Sequence, residues 1–323
     1  MTSGDLLADR RLEMARALRE RGDDAAAIEL LEQALERAPD WASGHFLLGE
    51  WRDGAGDRDG AVAAYGRALA LDPDDRAGAI LRLALIGAAA MPDAPPPAYV
   101  AGVFDDHAED FDSALVERLG YTVPQALEAL VLELGAGDVR FGRVLDLGCG
   151  TGLAGERFRD AAAWLEGVDL SEGMVAVARR KKLYDALAVG EAHAFLDGVS
   201  ASYDLIVAAD VLVYLGDLAA LFPAVARALA PGGRFVFSVE RGDGESFVLN
   251  RGHRYAHGEA YIAQCIAEAG LVLLEMRRAT CRMEAGVPVE GLLVVAGRHD
   301  SRCKGDEIPT CLGPHVKSTS RGL

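Results

Sequence analysis

The chain has 323 residues, which is enough for two domains of ordinary size. Half of the residues are hydrophobic, 26% are charged and 7% are aromatic, as in a globular protein and unlike a disordered chain. With 33 Lys and Arg against 50 Asp and Glu, the net charge is -17. Such a field repels phosphate backbones at long range, so nucleic acid is not an expected partner.

The sequence pattern also argues against a membrane protein and a metalloprotein. No apolar run approaches the roughly 20 residues that a membrane-spanning helix needs, so no membrane partner is expected. Residues 1–11 lack the apolar segment with basic flank of a signal peptide. Five cysteines without a CxxC pair disfavour both a disulfide framework and a zinc site, so no metal is predicted. We therefore expect a cytoplasmic protein.

Residues 1–90 contain an internal repeat with a period of 34 residues. The matching pairs are Gly22 and Gly56, Asp23 and Asp57, Ala27 and Ala61, Leu31 and Tyr65, Ala34 and Ala68, and Pro39 and Pro73. Small alanines allow close helix packing, and the glycines suit turns between helices. This segment resembles tetratricopeptide repeats. Since about three repeats are needed for independent stability, we expect the two repeats and a partial third helix (75–90) to lean on the domain that follows.

A proline-rich linker (residues 91–98) precedes a different pattern, in which strands alternate with helices. This pattern over residues 99–299 predicts a doubly wound α/β domain with a mostly parallel, seven-stranded, Rossmann-like sheet. The last two strands lack a helix between them and are expected to form an antiparallel hairpin at the sheet edge. Residues 300–323 are predicted to be a disordered tail. The seven predicted strands are Arg143–Leu147, Trp164–Asp169, Ala186–Gly190, Tyr203–Ala209, Arg234–Glu240, Leu271–Arg282 and Gly291–Gly297.

Three alternating glycines follow the first of these strands and indicate a ligand site. Gly148, Gly150 and Gly152 would allow a tight turn and a close approach of a ligand to the backbone. Residues 150–155 also satisfy GxGxxG, so a dinucleotide remains an alternative.

Carboxylates lie at the ends of the first four strands. They are Asp146, Asp169, Glu191 and Asp210, although Asp210 is equally suited to cap a helix. Such an acidic rim suits a cation such as the amino group or sulfonium of S-adenosylmethionine, and it disfavours the pyrophosphate of NAD.

At this point residues 99–299 resemble the class I S-adenosylmethionine-dependent methyltransferases. The resemblance is carried by DLGCGTG (146–152), GVDLS (167–171), ADVLVYL (209–215) and PGG (231–233), in that order. It implies S-adenosylmethionine as cofactor, with the three glycines at its methionine part, Asp169 at the ribose and Glu191 at the adenine. The further cofactor contacts expected from it are Asp146, Cys149, Leu170, Met174, Ala192, Asp210, Val211, Phe104 and Phe111. The join of repeats to such a domain resembles a bacterial group of tetratricopeptide-repeat methyltransferases.

Residues 99–112 resemble the aromatic cap helix that closes over the cofactor in this family. Their spacing is expected to place Phe104, His107 and Phe111 along one side of a helix. For a general base the candidates are His107, His257 and Tyr214; many small-molecule members have a His near position 214 instead. A predicted loop over residues 251–257 is rich in hydrogen-bond donors, and its Arg251, Arg254 and Tyr255 are predicted to bind substrate.

The sequence thus predicts methyl transfer from S-adenosylmethionine to a small molecule or a protein. The rate rests either on a general base or on positioning alone. The alternatives are a non-catalytic module that senses the cofactor while its repeats bind a protein partner, and hydride transfer with NAD. The repeats are interpreted as a scaffold or as a partner-binding surface.

Overall fold

The computed structural model of the chain describes residues 2–113, 115, 120–135, 140–284 and 286–299. The predicted tail over 300–323 lies outside these residues. None of the described helices is both long and apolar enough to cross a membrane. The helices are α1 (Leu6–Glu20), α2 (Asp24–Arg37), α3 (Ala42–Gly54), α4 (Arg58–Leu71), α5 (Ala79–Leu85), α6 (Pro97–Asp105), α7 (Val123–Leu134), α8 (Leu153–Phe158), α9 (Glu172–Lys181), α10 (Ala192–Leu196), α11 (Leu221–Ala228) and α12 (Glu259–Glu268).

Helices α1 to α4 form two consecutive antiparallel pairs, as the 34-residue period predicts. Gly22 and Gly56 adopt left-handed backbone conformations, with φ of +83° and +81°, at the turn inside each pair. The aspartate after each glycine caps the next helix, since its side chain accepts a backbone N–H of the first turn. The equivalent alanines at the helix crossings are buried. Both repeats therefore use the same turn chemistry and the same packing.

The remaining chain forms a twisted sheet with helices on both faces. The parallel part has the order β3-β2-β1-β4-β5, and β9 extends it by pairing antiparallel with β5 and β8. The predicted Rossmann-like sheet and its antiparallel edge hairpin are confirmed. The strands are β1 (Phe141–Leu147), β2 (Ala162–Asp169), β3 (Ala186–Val189), β4 (Tyr203–Ala208), β5 (Leu229–Gly242), β6 (Phe247–Leu249), β7 (Tyr255–Gly258), β8 (Leu271–Glu284) and β9 (Val287–Arg298).

The structure contains a short hairpin where the sequence predicts a loop: most of β7 lies within residues 251–257. Strand β7 pairs in parallel with the end of β5, and β6 pairs antiparallel with β7. Glu240 of β5 is paired with Ala256 of β7 and also with Gly291 of β9. The two partners must lie on opposite sides of β5, so the hairpin occupies the side of β4, beyond the point where β4 ends. It thereby borders the carboxyl edge of the sheet.

The helical repeats pack directly on this hairpin. Leu81 of α5 forms a buried apolar cluster with Leu249 of β6 and Tyr255 of β7. The Tyr255 hydroxyl donates to the carbonyl oxygen of Pro92 at 2.7 Å. The backbone N–H groups of Gly216 and the next residue donate to the carbonyl oxygen of Asp93 at 2.7 and 3.0 Å. The repeats and the proline-rich segment are thus joined to the carboxyl edge of the sheet by apolar and polar contacts.

Candidate functional site

The glycine turn after β1 is held in place by its neighbours on β2. Gly148, Gly150 and Gly152 have φ of +71°, +51° and +99°, values at which a side chain would be strained. The Gly148 N–H donates to the carbonyl oxygen of Val168 at 2.8 Å. The Gly150 N–H donates to Oδ2 of Asp169 at 2.8 Å. The turn is therefore a preformed feature of the sheet edge.

Gly150 also leaves open space above the turn. A Cβ built on Gly150 meets no heavy atom within 4 Å, whereas a Cβ on Gly148 would lie 2.3 Å from the side chain of Val211. Position 148 therefore requires glycine, because Val211, which follows β4, occupies the space that a side chain would need. Gly150 instead lines a cavity.

That cavity lies along the carboxyl edge of the sheet and has a volume of about 550 Å³. Its walls are largely apolar, and α6 with the prolines before it forms one side. Of the residues predicted to bind cofactor, those that line the cavity are Phe104, Phe111, Gly148, Cys149, Gly150, Asp169, Leu170, Met174, Glu191, Ala192, Asp210 and Val211. Two of the residues predicted for catalysis or substrate binding line it as well, Tyr214 and Arg254.

Asp146 and Gly152 do not line the cavity. Asp146 is buried behind the turn, where Oδ2 accepts the hydroxyl of Tyr184 at 2.6 Å. Burial raises the pKa of Asp146 to about 7. The acidic rim facing the cavity is therefore made by Asp169 at the end of β2 and by Glu191 and Asp210, which follow β3 and β4, while Asp146 is enclosed by the protein.

The rim carboxylates also organise the backbone around them. Oδ1 of Asp169 accepts the N–H of Ser171 at 2.9 Å, in addition to the bond from the glycine turn. Burial raises the pKa of Asp169. Glu191 caps α10 by accepting the N–H groups of His193 and Ala194 at 2.9 and 2.7 Å. Because a carboxylate oxygen can accept more than one hydrogen bond, both side chains keep capacity for a ligand.

Segment 97–113 covers one end of the cavity. Phe104 makes edge-to-face contacts with Tyr214 and Phe111, with ring centroids 5.2 and 5.9 Å apart. Asp105 accepts the hydroxyl of Ser171 and the N–H of Gly173, which ties the end of α6 to the start of α9. The aromatic side chains of Phe104, Phe111 and Tyr214 therefore form the wall at this end of the cavity.

A buried network of charges forms the wall next to β4 and β5. Asp210 has a left-handed backbone with φ +60°, and its Oδ2 lies 3.4 Å from Nη1 of Arg254. Arg282 donates to Glu240 at 2.6 Å and lies 3.8 Å from Asp210. The Arg254 guanidinium lies over the ring of Tyr214, 5.2 Å from its centroid. Burial raises the pKa of Tyr214 to about 12, so this phenol stays protonated at neutral pH.

Four residues predicted for catalysis or substrate binding lie away from the cavity. His107 is exposed, and its Nδ1 lies 2.8 Å from the carbonyl oxygen of Val103, because α6 ends at Asp105 and the chain turns there. His257 is fully buried in β7. Tyr255 is buried at the joint with the repeats, and Arg251 is exposed on the turn before β7.

Several residues that line the cavity were not predicted from the sequence. They include Pro95, Pro96, Pro97, Val100, Tyr121 and Pro124. Val100 belongs to the predicted cap segment, although it was not itself predicted to bind. The prolines of the linker and the residues at the start of α7 belong to no recognisable motif, and they reach the cavity through tertiary packing.

Comparison with known proteins identifies two segments. Residues 119–276 match the family described as "Methyltransferase domain", and residues 8–51 match "Tetratricopeptide repeat". This chain carries a methyltransferase domain. The cofactor of this domain is S-adenosylmethionine, as the motifs predict.

Two curated proteins that are similar to the methyltransferase domain have the same name. The "Ubiquinone biosynthesis O-methyltransferase" of Idiomarina loihiensis is 35% identical over 120 residues, which cover 35% of this chain and 48% of the relative. The protein of the same name from Bordetella pertussis is 33% identical over 121 residues, covering 35% and 49%. The chain therefore spans about half the length of these relatives.

Two solved structures of methyltransferases illustrate the similarity in fold. One is an S-adenosylmethionine-dependent methyltransferase from Mesorhizobium loti, 24% identical with a TM-score of 0.42, covering 55% of this chain and 100% of that one. The other is magnesium protoporphyrin IX methyltransferase from Synechocystis with bound SAH, 22% identical with a TM-score of 0.42, covering 54% and 82%.

The cavity of the methyltransferase domain has the chemistry that this cofactor requires. The open side of Gly150 leaves room for a ligand against the backbone. The carboxylates of Asp169 and Glu191 line the cavity, and they would accept hydrogen bonds from ribose hydroxyls and an adenine amino group. The Asp210 carboxylate would face a ligand amino group. The remaining walls are largely apolar.

Proposed function

We propose that the protein is an O-methyltransferase that methylates a hydroxyl group of an apolar small molecule. A single observation carries the proposal: one continuous cavity joins the glycine turn and the rim carboxylates to an apolar space beneath α6. The shared name of the curated relatives supports oxygen as the acceptor atom. Because Gly78 at the start of α5 packs against Tyr99 of α6, and α6 carries the wall residues Val100 and Phe104, the helical repeats are proposed to act first as a scaffold for this wall.

The protein's part in the reaction is proposed to be positioning and exclusion of water. When bound, S-adenosylmethionine supplies a methyl group on a positively charged sulfur. The aromatic side chains of Phe104, Phe111 and Tyr214 shield that region and hold a flat acceptor against it. A small apolar acceptor suits this enclosed, aromatic end of the cavity better than a peptide segment does, because a peptide brings polar backbone groups that need partners.

The proton of the acceptor hydroxyl limits the choice of acceptor. The described residues that line the cavity include no histidine, and Tyr214 with a pKa of about 12 is not a base at neutral pH. An acceptor whose hydroxyl is itself acidic needs the least help, and phenols have a pKa near 10, as tyrosine does. We therefore propose a phenolic, apolar acceptor.

Two measurements test the proposed function. S-adenosylhomocysteine should raise the melting temperature, because a ligand that binds only the folded state stabilises it by mass action, whereas NAD should not. Labelled methyl from S-adenosylmethionine should then appear in the apolar extract of a metabolite mixture. Stabilisation by NAD alone would contradict the proposal. Label found in protein alone would contradict the small-molecule acceptor and leave methyl transfer intact.

A further inference from the structure

Arg254 is the one basic side chain among the described residues that line the cavity. It immediately precedes β7, at the end of the turn of the β6–β7 hairpin, in a molecule whose net charge is -17. Its side chain is 21% exposed, whereas that of the neighbouring Arg282 is 4% exposed. A guanidinium is rarely left in an apolar cavity without a charged partner, so its contacts decide what it can bind.

The contacts of Arg254 leave most of its hydrogen-bonding capacity free. Nη1 lies 3.4 Å from Asp210 and 3.6 Å from Glu240, both longer than the 2.7–2.9 Å of a strong charge-assisted bond. Glu240 is already bound by Arg282 at 2.6 Å. Among the described residues, Nε and Nη2 of Arg254 have no hydrogen-bond partner. A guanidinium has five N–H donors, one on Nε and two on each Nη atom. Four of them are therefore free in Arg254 within the described part of the chain: the one on Nε, both on Nη2 and the second on Nη1.

Arg254 lies on the side of the cavity opposite to Asp169 and Glu191, which are the side chains proposed to bind the adenosine. Strand order places β4 beside β1, on the side away from β2 and β3, which carry Asp169 and Glu191. Val211, which follows β4, packs against Gly148 of the glycine turn. Asp210 and Arg254 therefore lie beside the turn, where an acidic and a basic side chain face one ligand region.

We propose that Arg254 binds a carboxylate inside the cavity. The planar fork of a guanidinium matches the two oxygens of a carboxylate, and burial on the Tyr214 ring fixes its orientation. This inference rests on the proposed function, under which two molecules occupy the cavity. Either of them can present a carboxylate. One is the amino-acid end of the cofactor, whose amino group would then face Asp210. The other is an acceptor whose otherwise apolar skeleton carries one carboxylate.

Arg254→Met tests the inference, with Arg251→Met as matched control because Arg251 is an exposed arginine on the same turn. The first probe pair is S-adenosylhomocysteine and its decarboxylated analogue. The second pair is 2-naphthoate and its methyl ester, with the adenosine site saturated. Calorimetry should show that Arg254→Met weakens binding of one carboxylate about tenfold to a hundredfold, the range expected for bonds between charged groups, and leaves its neutral counterpart unchanged. Arg254→Lys, which keeps the charge without the fork, should lose less.

The probe pairs distinguish the source of the carboxylate. A loss confined to S-adenosylhomocysteine assigns Arg254 to the cofactor, and a loss confined to 2-naphthoate assigns it to the acceptor. If wild-type protein binds S-adenosylhomocysteine and neither Arg254 variant weakens either carboxylate, the inference is wrong and the proposed function stands. If wild-type protein does not bind S-adenosylhomocysteine, the proposed function itself fails. Melting curves of both variants confirm that the fold is retained.

Discussion

Gly150 brings the protein backbone directly to the cavity. Its N–H is used by Asp169, its φ of +51° favours glycine, and its open side faces the cavity. A methyl group there changes two things at once. It adds backbone strain of about 1–2 kcal/mol, and it occupies space that a ligand would fill.

Gly150→Ala should therefore weaken the affinity for S-adenosylhomocysteine by more than the strain explains, at least tenfold. Gly198→Ala is the matched control, because Gly198 has φ +80°, equally open surroundings and a position outside the cavity. Urea unfolding should show a similar loss of stability in both variants, and calorimetry should show weaker binding only in the first. Equal affinity in the two variants would place the cofactor elsewhere.

His257 is a structural residue of the hairpin, and its ionisation affects folding. Its Nε2 lies 2.9 and 3.1 Å from the carbonyl oxygens of Leu215 and Gly216, and its Nδ1 has no hydrogen-bond partner among the described residues. Burial lowers the pKa of His257 to about 4. Between that value and the ordinary 6.5 only the unfolded chain takes up the proton. The stability that the neutral ring provides is therefore complete above pH 6.5 and is lost as the pH falls toward 4.

His257→Gln tests this, since the amide can still donate to the two carbonyls. The difference in unfolding free energy between wild type and variant should be constant above pH 6.5 and should fall by up to about 1.4 kcal/mol per pH unit below it. Asp146, whose pKa burial raises to about 7, titrates in the same range, but its contribution cancels in the difference. Urea titrations from pH 4.5 to 8 provide the measurement. A difference independent of pH would show that His257 is not the buried, neutral group described.

At the scale of elements, the sequence predicted those features that depend on local patterns. The 34-residue period located both helix pairs, and the glycine turn located one side of the cavity. The hairpin β6–β7 escaped prediction because its strands have only three and four residues and its burial comes from α5, more than 150 residues earlier in the chain. The role of Pro95–Pro97 in the cavity depends on the same long-range packing.

The cap segment shows the same difference between local and tertiary information. Helical spacing predicted that His107 shares a face with Phe104 and Phe111. In the structure α6 ends at Asp105, and the two phenylalanines meet across the turn that follows, while His107 points to solvent. The contacts of Asp105 with α9 are made by residues that lie 66 and 68 positions further along the chain. Periodicity within the segment cannot reveal them.

The turn of the β6–β7 hairpin depends on one contact with α6. The Tyr99 hydroxyl lies 2.6 Å from Nδ1 of His253, which has φ +59° and immediately precedes Arg254. The Tyr99 ring is also held against Gly78, where an added Cβ would lie 2.9 Å from it. Tyr99 thus links the start of α5, α6 and the turn that carries Arg254.

Tyr99→Phe should loosen this turn, because the half-buried His253 loses its partner at a cost of about 1–3 kcal/mol. We expect faster hydrogen exchange in peptides spanning residues 247–258. The matched control is Tyr203→Phe, which removes a hydroxyl bonded to Glu166 on another part of the sheet. Unchanged exchange in the hairpin of Tyr99→Phe would mean that strand pairing alone fixes the turn.

For the whole molecule, we expect the repeats and the methyltransferase domain to unfold as one cooperative unit, because the buried cluster of Leu81, Leu249 and Tyr255 forms a joint between them. Leu81 and Tyr255 are fully buried at this joint, and the hairpin that they cover carries Arg254 to the cavity. A ligand bound in the cavity stabilises the folded state of whatever unfolds together with the cavity. The stabilisation should therefore extend to the repeats, although they lie outside the binding site.

Tryptophan fluorescence can test this coupling. The chain has three tryptophans, and Trp41 and Trp51 are buried in the repeats, whereas Trp164 is 42% exposed on β2. In a Trp164→Phe background the signal comes from the repeats alone. S-adenosylhomocysteine should then raise the thermal midpoint of this signal, by the same amount as that of the far-ultraviolet circular dichroism.

Leu81→Ala should break the coupling. The substitution removes buried contacts at the joint, typically worth about 2–5 kcal/mol, and leaves the cavity walls in place. In this variant the repeats should melt earlier, and S-adenosylhomocysteine should no longer shift the fluorescence midpoint, although calorimetry still detects its binding. Leu47→Ala is the control, because Leu47 packs within the repeats and away from the joint: it should lower the midpoint while the shift by the ligand persists. If the ligand leaves the fluorescence midpoint of the Trp164→Phe protein unchanged, the two parts unfold independently and the joint does not couple them.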